Sequence, residues 1–165
     1  MDISFYLNLF QKAADQIDRE LLEEKQIEVW VGIFLDSVCL KLYKKSWTND
    51  TQNPLTAESR IFFSVWISDS TLEKGKIKYN IHALKLRNLK NYSIQSRKFA
   101  EIFREAFKMY ETRWPNVSVN HGPLTLMEGW MNADFENVQK DIFEVANNFM
   151  AIEYWIDETL QQFKK

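Results

Sequence analysis

Between Ile27 and Ala83, apolar side chains recur at every second position in four separate runs, the period of strands with one buried face. The first run sets Ile27, Val29, Val31, Ile33 and Leu35 against Glu28, Trp30, Gly32, Phe34 and Asp36. The second sets Val38, Leu40 and Leu42 against Cys39, Lys41 and Tyr43, after a tight turn expected at Asp36-Ser37. In the third, Ile61, Phe63, Val65 and Ile67 oppose Phe62, Ser64, Trp66 and Ser68; in the fourth, Ile77, Tyr79, Ile81 and Ala83 oppose Lys76, Lys78, Asn80 and His82. No crossover helix separates these runs, so they predict an antiparallel meander. Residues 48–59 form a polar loop around Pro54, long enough to move or to carry function.

Helical periodicity flanks the strands. Ile3, Leu7, Phe10, Ala14, Ile17 and Leu21 make one stripe, predicting a helix capped by Ser4 and running to about Lys25. Phe99, Ile102, Phe103, Ala106, Phe107 and Tyr110 make a second, capped by Ser96 and stopped at Trp114-Pro115. Val117 and Val119, then Leu124 to Trp130, read as two short strands around His121-Gly122-Pro123. A near-heptad stripe of Phe135, Val138, Ile142, Val145, Phe149, Ile152 and Ile156 predicts a last helix from Asn132 or Asp134 to about Phe163. At 1.5 Å per residue such a helix would reach about 42 Å and overhang the sheet. The whole is an α+β chain with a sheet of four to six strands, order α-ββββ-α-(ββ)-α, helices on one face and a long C-terminal helix. We expect one domain over its 165 residues.

The second sheet face is the informative one. A solvated face should be polar, yet this one gathers Trp30, Phe34, Tyr43, Phe62 and Trp66 among Lys41, Ser64, Lys78, Asn80 and His82. A contiguous ring-bearing patch calls for a cover. That cover is the chain itself or a second copy in a homo-oligomer, a protein or peptide partner, a single-stranded nucleic acid stacking its bases, or a small molecule. The expected binding surface is therefore Trp30, Phe34, Tyr43, Phe62 and Trp66, with Lys78 and His82 at its margin.

Charge is uneven. Residues 74–113 hold 11 Lys and Arg against 3 Asp and Glu, while both ends of the chain are acidic. Lys85, Arg87, Lys90, Arg97, Arg104 and Lys108 form a candidate basic patch, suited to phosphates or to neutralisation by the acidic helices.

Catalytic signatures are scarce. With 4 Gly the chain lacks every glycine-rich phosphate loop, and 2 His and 1 Cys cannot build a zinc site, so no cofactor or metal is expected. Cys39 and His82 share a face, but an intervening third strand would hold them two strand spacings, about 9–10 Å, apart. His121 with nearby Glu128 has no spacing that marks a general base. A lone cysteine, no apolar run of about 18–20 residues and no signal-like N-terminus lead us to expect a cytoplasmic protein without a membrane segment.

At the level of element order alone, the chain resembles the small homodimeric chaperones that hold secreted effectors, while differing in an extra strand and the basic middle. The resemblance implies self-association and a protein client. The sequence thus favours a non-catalytic binding or adaptor protein, with an enzyme or binder of phosphorylated or single-stranded nucleic-acid ligands as the alternative.

Overall fold

The computed structural model describes residues 1–165. Five strands follow one another across a single antiparallel sheet: β1 (Glu28–Phe34), β2 (Ser37–Tyr43), β3 (Arg60–Ile67), β4 (Lys76–Leu84) and β5 (Thr125–Asn132). The four alternating runs become the first four strands, as their period requires. The segment around Val117 and Val119 is not a strand; it touches the sheet through one bridge, Ser118 to Glu128. Ser118 N donates to Glu128 O at 2.7 Å, and Glu128 N to Ser118 O at 3.0 Å.

The first hairpin turns on Leu35-Asp36, one residue earlier than expected, because Phe34 pairs with Ser37. Both turn residues have left-handed φ values of 48° and 63°, the requirement of a two-residue turn that follows the strand twist. Leucine at such a position is strained, and this one stands in solvent.

The aliphatic face carries the helices α1 (Ile3–Asp15) and α5 (Val138–Ile152). Val38, Leu40, Ile61, Phe63, Val65, Ile77 and Ile81 are fully buried beneath them. Phe63 stacks on Phe149 of α5 with centroids 4.8 Å apart. On β4, the buried Tyr79 passes its hydroxyl over Gly129 and donates to Pro115 O at 2.6 Å. A methyl at Gly129 would lie 2.2 Å from that hydroxyl, so glycine alone leaves the passage open.

Two helices depart from their expected extents. Asp2, not Ser4, caps α1 by accepting from Phe5 N at 3.1 Å. The stripe predicted to run to Lys25 is cut at Asp18, which accepts from Glu20 N and Leu21 N and so starts a new helix, α2 (Arg19–Lys25). Between β3 and β4 lies a short helix, α3 (Asp69–Glu73), under a Ser68 capping box. The basic helix α4 (Ser96–Phe107) precedes β5; Ser96 is its first residue, and the cap position belongs to Gln95.

The C-terminal helix is long but bent. It begins at Val138, leaving Phe135 outside to stack on Phe5 at 4.9 Å. It turns at Glu153 into α6 (Tyr154–Gln161), where Ile156 N donates to Glu153 O in an i→i+3 step. The expected straight rod is replaced because buried Glu153 is drawn to Lys25 at 3.0 Å and Lys44 at 2.8 Å. Asp157, one turn on, takes Lys44 at 2.6 Å and the Trp47 indole N–H at 2.8 Å. The bend lays α6 along α4.

Candidate functional site

The opposite face of the sheet bears no helix and is organised in cross-strand rows. The central row runs Trp30, Lys41, Ser64, Asn80, Glu128 across all five strands. One flanking row runs Gly32, Cys39, Trp66, Lys78, Trp130; on the other side Phe62 pairs with His82 and His82 with Thr125. Small residues (Ser64, Asn80, Cys39) thus lie between large rings (Phe62, Trp66). The difference in side-chain volume leaves a hollow of about 250 Å³, floored by Ser64 and Asn80 and walled by Phe34, Phe62, Trp66 and His82.

Two other features flank this hollow. Leu35, at the hairpin tip, borders its rim. Pro54 and Leu55 of the 48–59 loop come down over Tyr43 and Phe62, burying both rings and the neighbouring Lys41. Trp30 does not stand out from the sheet; its indole lies across Gly32, where a Cβ would come within 2.4 Å of Trp30 Cζ2.

The electrostatics centre on Lys41, whose residue is only 3 % exposed. Its ammonium lies 3.7 Å from the centroid of Phe34, 4.7 Å from Phe62 and 5.7 Å from Trp30. No carboxylate or carbonyl bonds it. Aromatic faces attract a cation, but they do not replace the hydrogen bonds water would give, and burial pushes the Lys41 pKa down. Across Phe62, Arg60 sits with its Cζ 5.4 Å from the same ring. It donates to Ala57 O through one terminal nitrogen, while its buried Nε has no partner.

The other lining groups are neutral or weakly held. Asn80 is 2 % exposed and its Oδ1 has no partner. His82 turns Nδ1 toward Leu124 O at 3.4 Å and Thr125 Oγ1 at 3.3 Å, and burial lowers its pKa, which favours neutral imidazole. The Cys39 thiol donates to Gly32 O at 3.7 Å, and burial pushes its pKa up to about 11. A reactive thiolate is thereby disfavoured. β3 does separate Cys39 from His82.

The structure therefore brings Phe34, Phe62, Trp66 and His82 around one hollow and sets Trp30 beside Lys41. Tyr43 is turned under the loop, and Lys78 lies at the margin, 6.0 Å from the Trp66 ring. Lys41, Asn80, Ser64, Cys39 and Glu128 complete the lining; the sequence sets the first four on this face but outside the expected binding surface, and considers Glu128 only beside His121. Alternation with Leu40 and Leu42 sets Lys41 on this face, and the strand pairing then brings it beside Trp30.

The basic segment is divided among several tasks. Arg104 donates to the carbonyls of His121, Gly122, Thr125 and Leu126 at 2.8–3.0 Å, tying α4 to the start of β5. Lys85 pairs with Glu58 and Lys108 with Glu105. These partners lie in the 48–59 loop and on α4 itself, not on the acidic terminal helices. Arg87, Lys90 and Arg97 are exposed. His121 keeps a buried Nε2 without a partner.

No group of three or more His, Cys, Asp or Glu side chains is placed to hold a metal ion. No helix is long and apolar enough to cross a membrane. A wider groove of about 500 Å³ beside α2 is lined by Arg19, Glu23, Glu28 and Lys45, where opposite charges already meet. No family model matches the chain, and neither a curated protein nor a solved structure is significantly similar to it.

Proposed function

We propose that this is a binding protein rather than an enzyme, and that the helix-free sheet face holds a small ligand in the hollow above Ser64 and Asn80. One observation carries the reading: a nearly buried lysine, ringed by aromatic faces, has no acceptor of its own in a hollow large enough to admit one. A charge largely withdrawn from water and left without a protein partner is costly. Such a charge recurs where a ligand completes it. The neutral histidine and the un-ionised thiol argue against nucleophilic or acid–base chemistry here. The lone thiol suits a reducing compartment, and we expect the protein to work in the cytoplasm.

The test is a fragment screen read by amide chemical shifts. Binders are expected to move resonances of Lys41, Ser64 and Asn80 and to leave those of α4 and α6 in place. Shifts scattered over the whole surface would overturn the reading.

A second reading rests on the hairpin tip. Ile33 is 51 % and Leu35 82 % exposed at the first hairpin, Leu35 at the rim of the hollow and Ile33 on the other face of β1. Two bare aliphatic side chains there favour contact with a protein partner or a second copy of the chain. Light scattering on the wild type and on Leu35→Asp separates this from the ligand reading. A dimer that the substitution dissolves would favour it.

A further inference from the structure

We infer that the ligand of this hollow is a small organic carboxylate with a flat apolar body, its carboxylate on Lys41 and its ring against Trp66. The inference rests on the binding reading above and names the chemistry of what is bound. Lys41 supplies one formal positive charge and three donors, with no anion of the protein to satisfy them. Asn80 adds an amide whose oxygen is buried and without a partner on the floor of the same hollow. The ammonium sets the charge of the ligand, and the amide oxygen, one strand beyond Ser64, would take a donor substituent on its body.

Charge and size narrow the class. Glu128 lines the far side of the hollow, in the same row as Lys41, and would repel a second negative charge. Neither an arginine fork nor a helix N-terminus points into the space, so a phosphate dianion would find too few donors. A monoanion fits. An amine is disfavoured because Lys41 already occupies the faces of Phe34 and Phe62 on which a ligand cation would sit. A cavity of about 150 Å³ admits benzene, so about 250 Å³ admits one ring with a carboxylate and a small substituent.

The experiment titrates the full chain with sodium benzoate, benzyl alcohol, benzylamine and inorganic phosphate, following amide resonances. Benzoate is expected to shift the Lys41 and Ser64 backbone amides and the Asn80 side-chain amide. It should bind about tenfold or more tighter than benzyl alcohol, the margin of one charge-assisted hydrogen bond. Benzylamine and phosphate should bind more weakly than either. Lys41→Met, checked for an otherwise native spectrum, should remove the preference for benzoate while keeping the weak affinity for benzyl alcohol. If benzyl alcohol, benzylamine or phosphate binds as well as benzoate, the carboxylate inference falls and the binding reading survives. If none of the four disturbs the hollow, both fall.

Discussion

The Lys41 ammonium stands 3.7 Å above the ring of Phe34, a residue of the neighbouring strand, and it is met there by no carboxylate. A cation held by rings alone is less well solvated than one in water. Replacing it with an apolar side chain of similar length should therefore stabilise the fold. For Lys41→Met we expect a gain of about 1 kcal/mol in urea unfolding, with loss of the proposed carboxylate binding. Destabilisation of that size would mean that the ring contacts outweigh the desolvation.

Tyr79 and Gly129 act as one unit. Gly129→Ala would thrust a methyl to 2.2 Å from the Tyr79 hydroxyl and 2.9 Å from Pro115 O, in a site with no room to shift. The expected loss is about 2–4 kcal/mol by chemical denaturation. Tyr79→Phe removes the hydroxyl from that clash, leaves the ring Cζ at 2.4 Å and strands Pro115 O, and should cost about 1–2 kcal/mol on the wild-type background. In Gly129→Ala the second substitution should recover part of the loss; strictly additive losses would contradict the shared passage.

Cys39 makes stability depend on alkaline pH. Its folded pKa of about 11 lies above the ordinary value of 9.0, with desolvation as the larger cause and the Lys41 charge opposing it. A raised pKa favours the neutral thiol in the fold. Its contribution is thus fully present below pH 9 and is lost as pH rises through 11, while the unfolded chain ionises first. The loss amounts to about 3 kcal/mol. Cys39→Ala should flatten the pH dependence of unfolding in that window. At pH 8 the thiol should also react with a disulfide reagent roughly 10²-fold more slowly than free cysteine.

Arg104 spends its guanidinium on four carbonyls of residues 121–126, so its removal should be felt in folding rather than in anion binding. Arg104→Met should cost about 2–4 kcal/mol, and lysine cannot restore the fork. Exposed Arg97→Met should change stability by less than about 0.5 kcal/mol. Equal effects from both substitutions would deny Arg104 its structural task.

The sheet was legible because strand alternation is a local signal, and the meander follows from it. Turn placement was not: the pattern allowed Asp36-Ser37, whereas the pairing of Phe34 with Ser37 forces Leu35 into a conformation its side chain resists. Helix extents failed where a single polar residue overrode a continuous stripe. Asp18 capped a new helix within the first, and Glu153 bent the last toward two lysines from distant segments. Among site residues the rings were visible, since large aromatics on a nominally wet face stand out. Lys41 was not, because a lysine alternating with leucines reads as a solvated neighbour. Its burial comes from Pro54 and Leu55 and from rings on two adjacent strands, contacts that no local pattern carries.

The proposed site depends on the charge state of one side chain, which the Cε resonance of ¹³C-labelled Lys41 reports directly. Followed from neutral to alkaline pH, it should titrate below the exposed lysines in the free protein. Saturating benzoate should move its midpoint upward, because a bound carboxylate favours the ammonium. A midpoint that coincides with the surface lysines and ignores benzoate would contradict the proposed site.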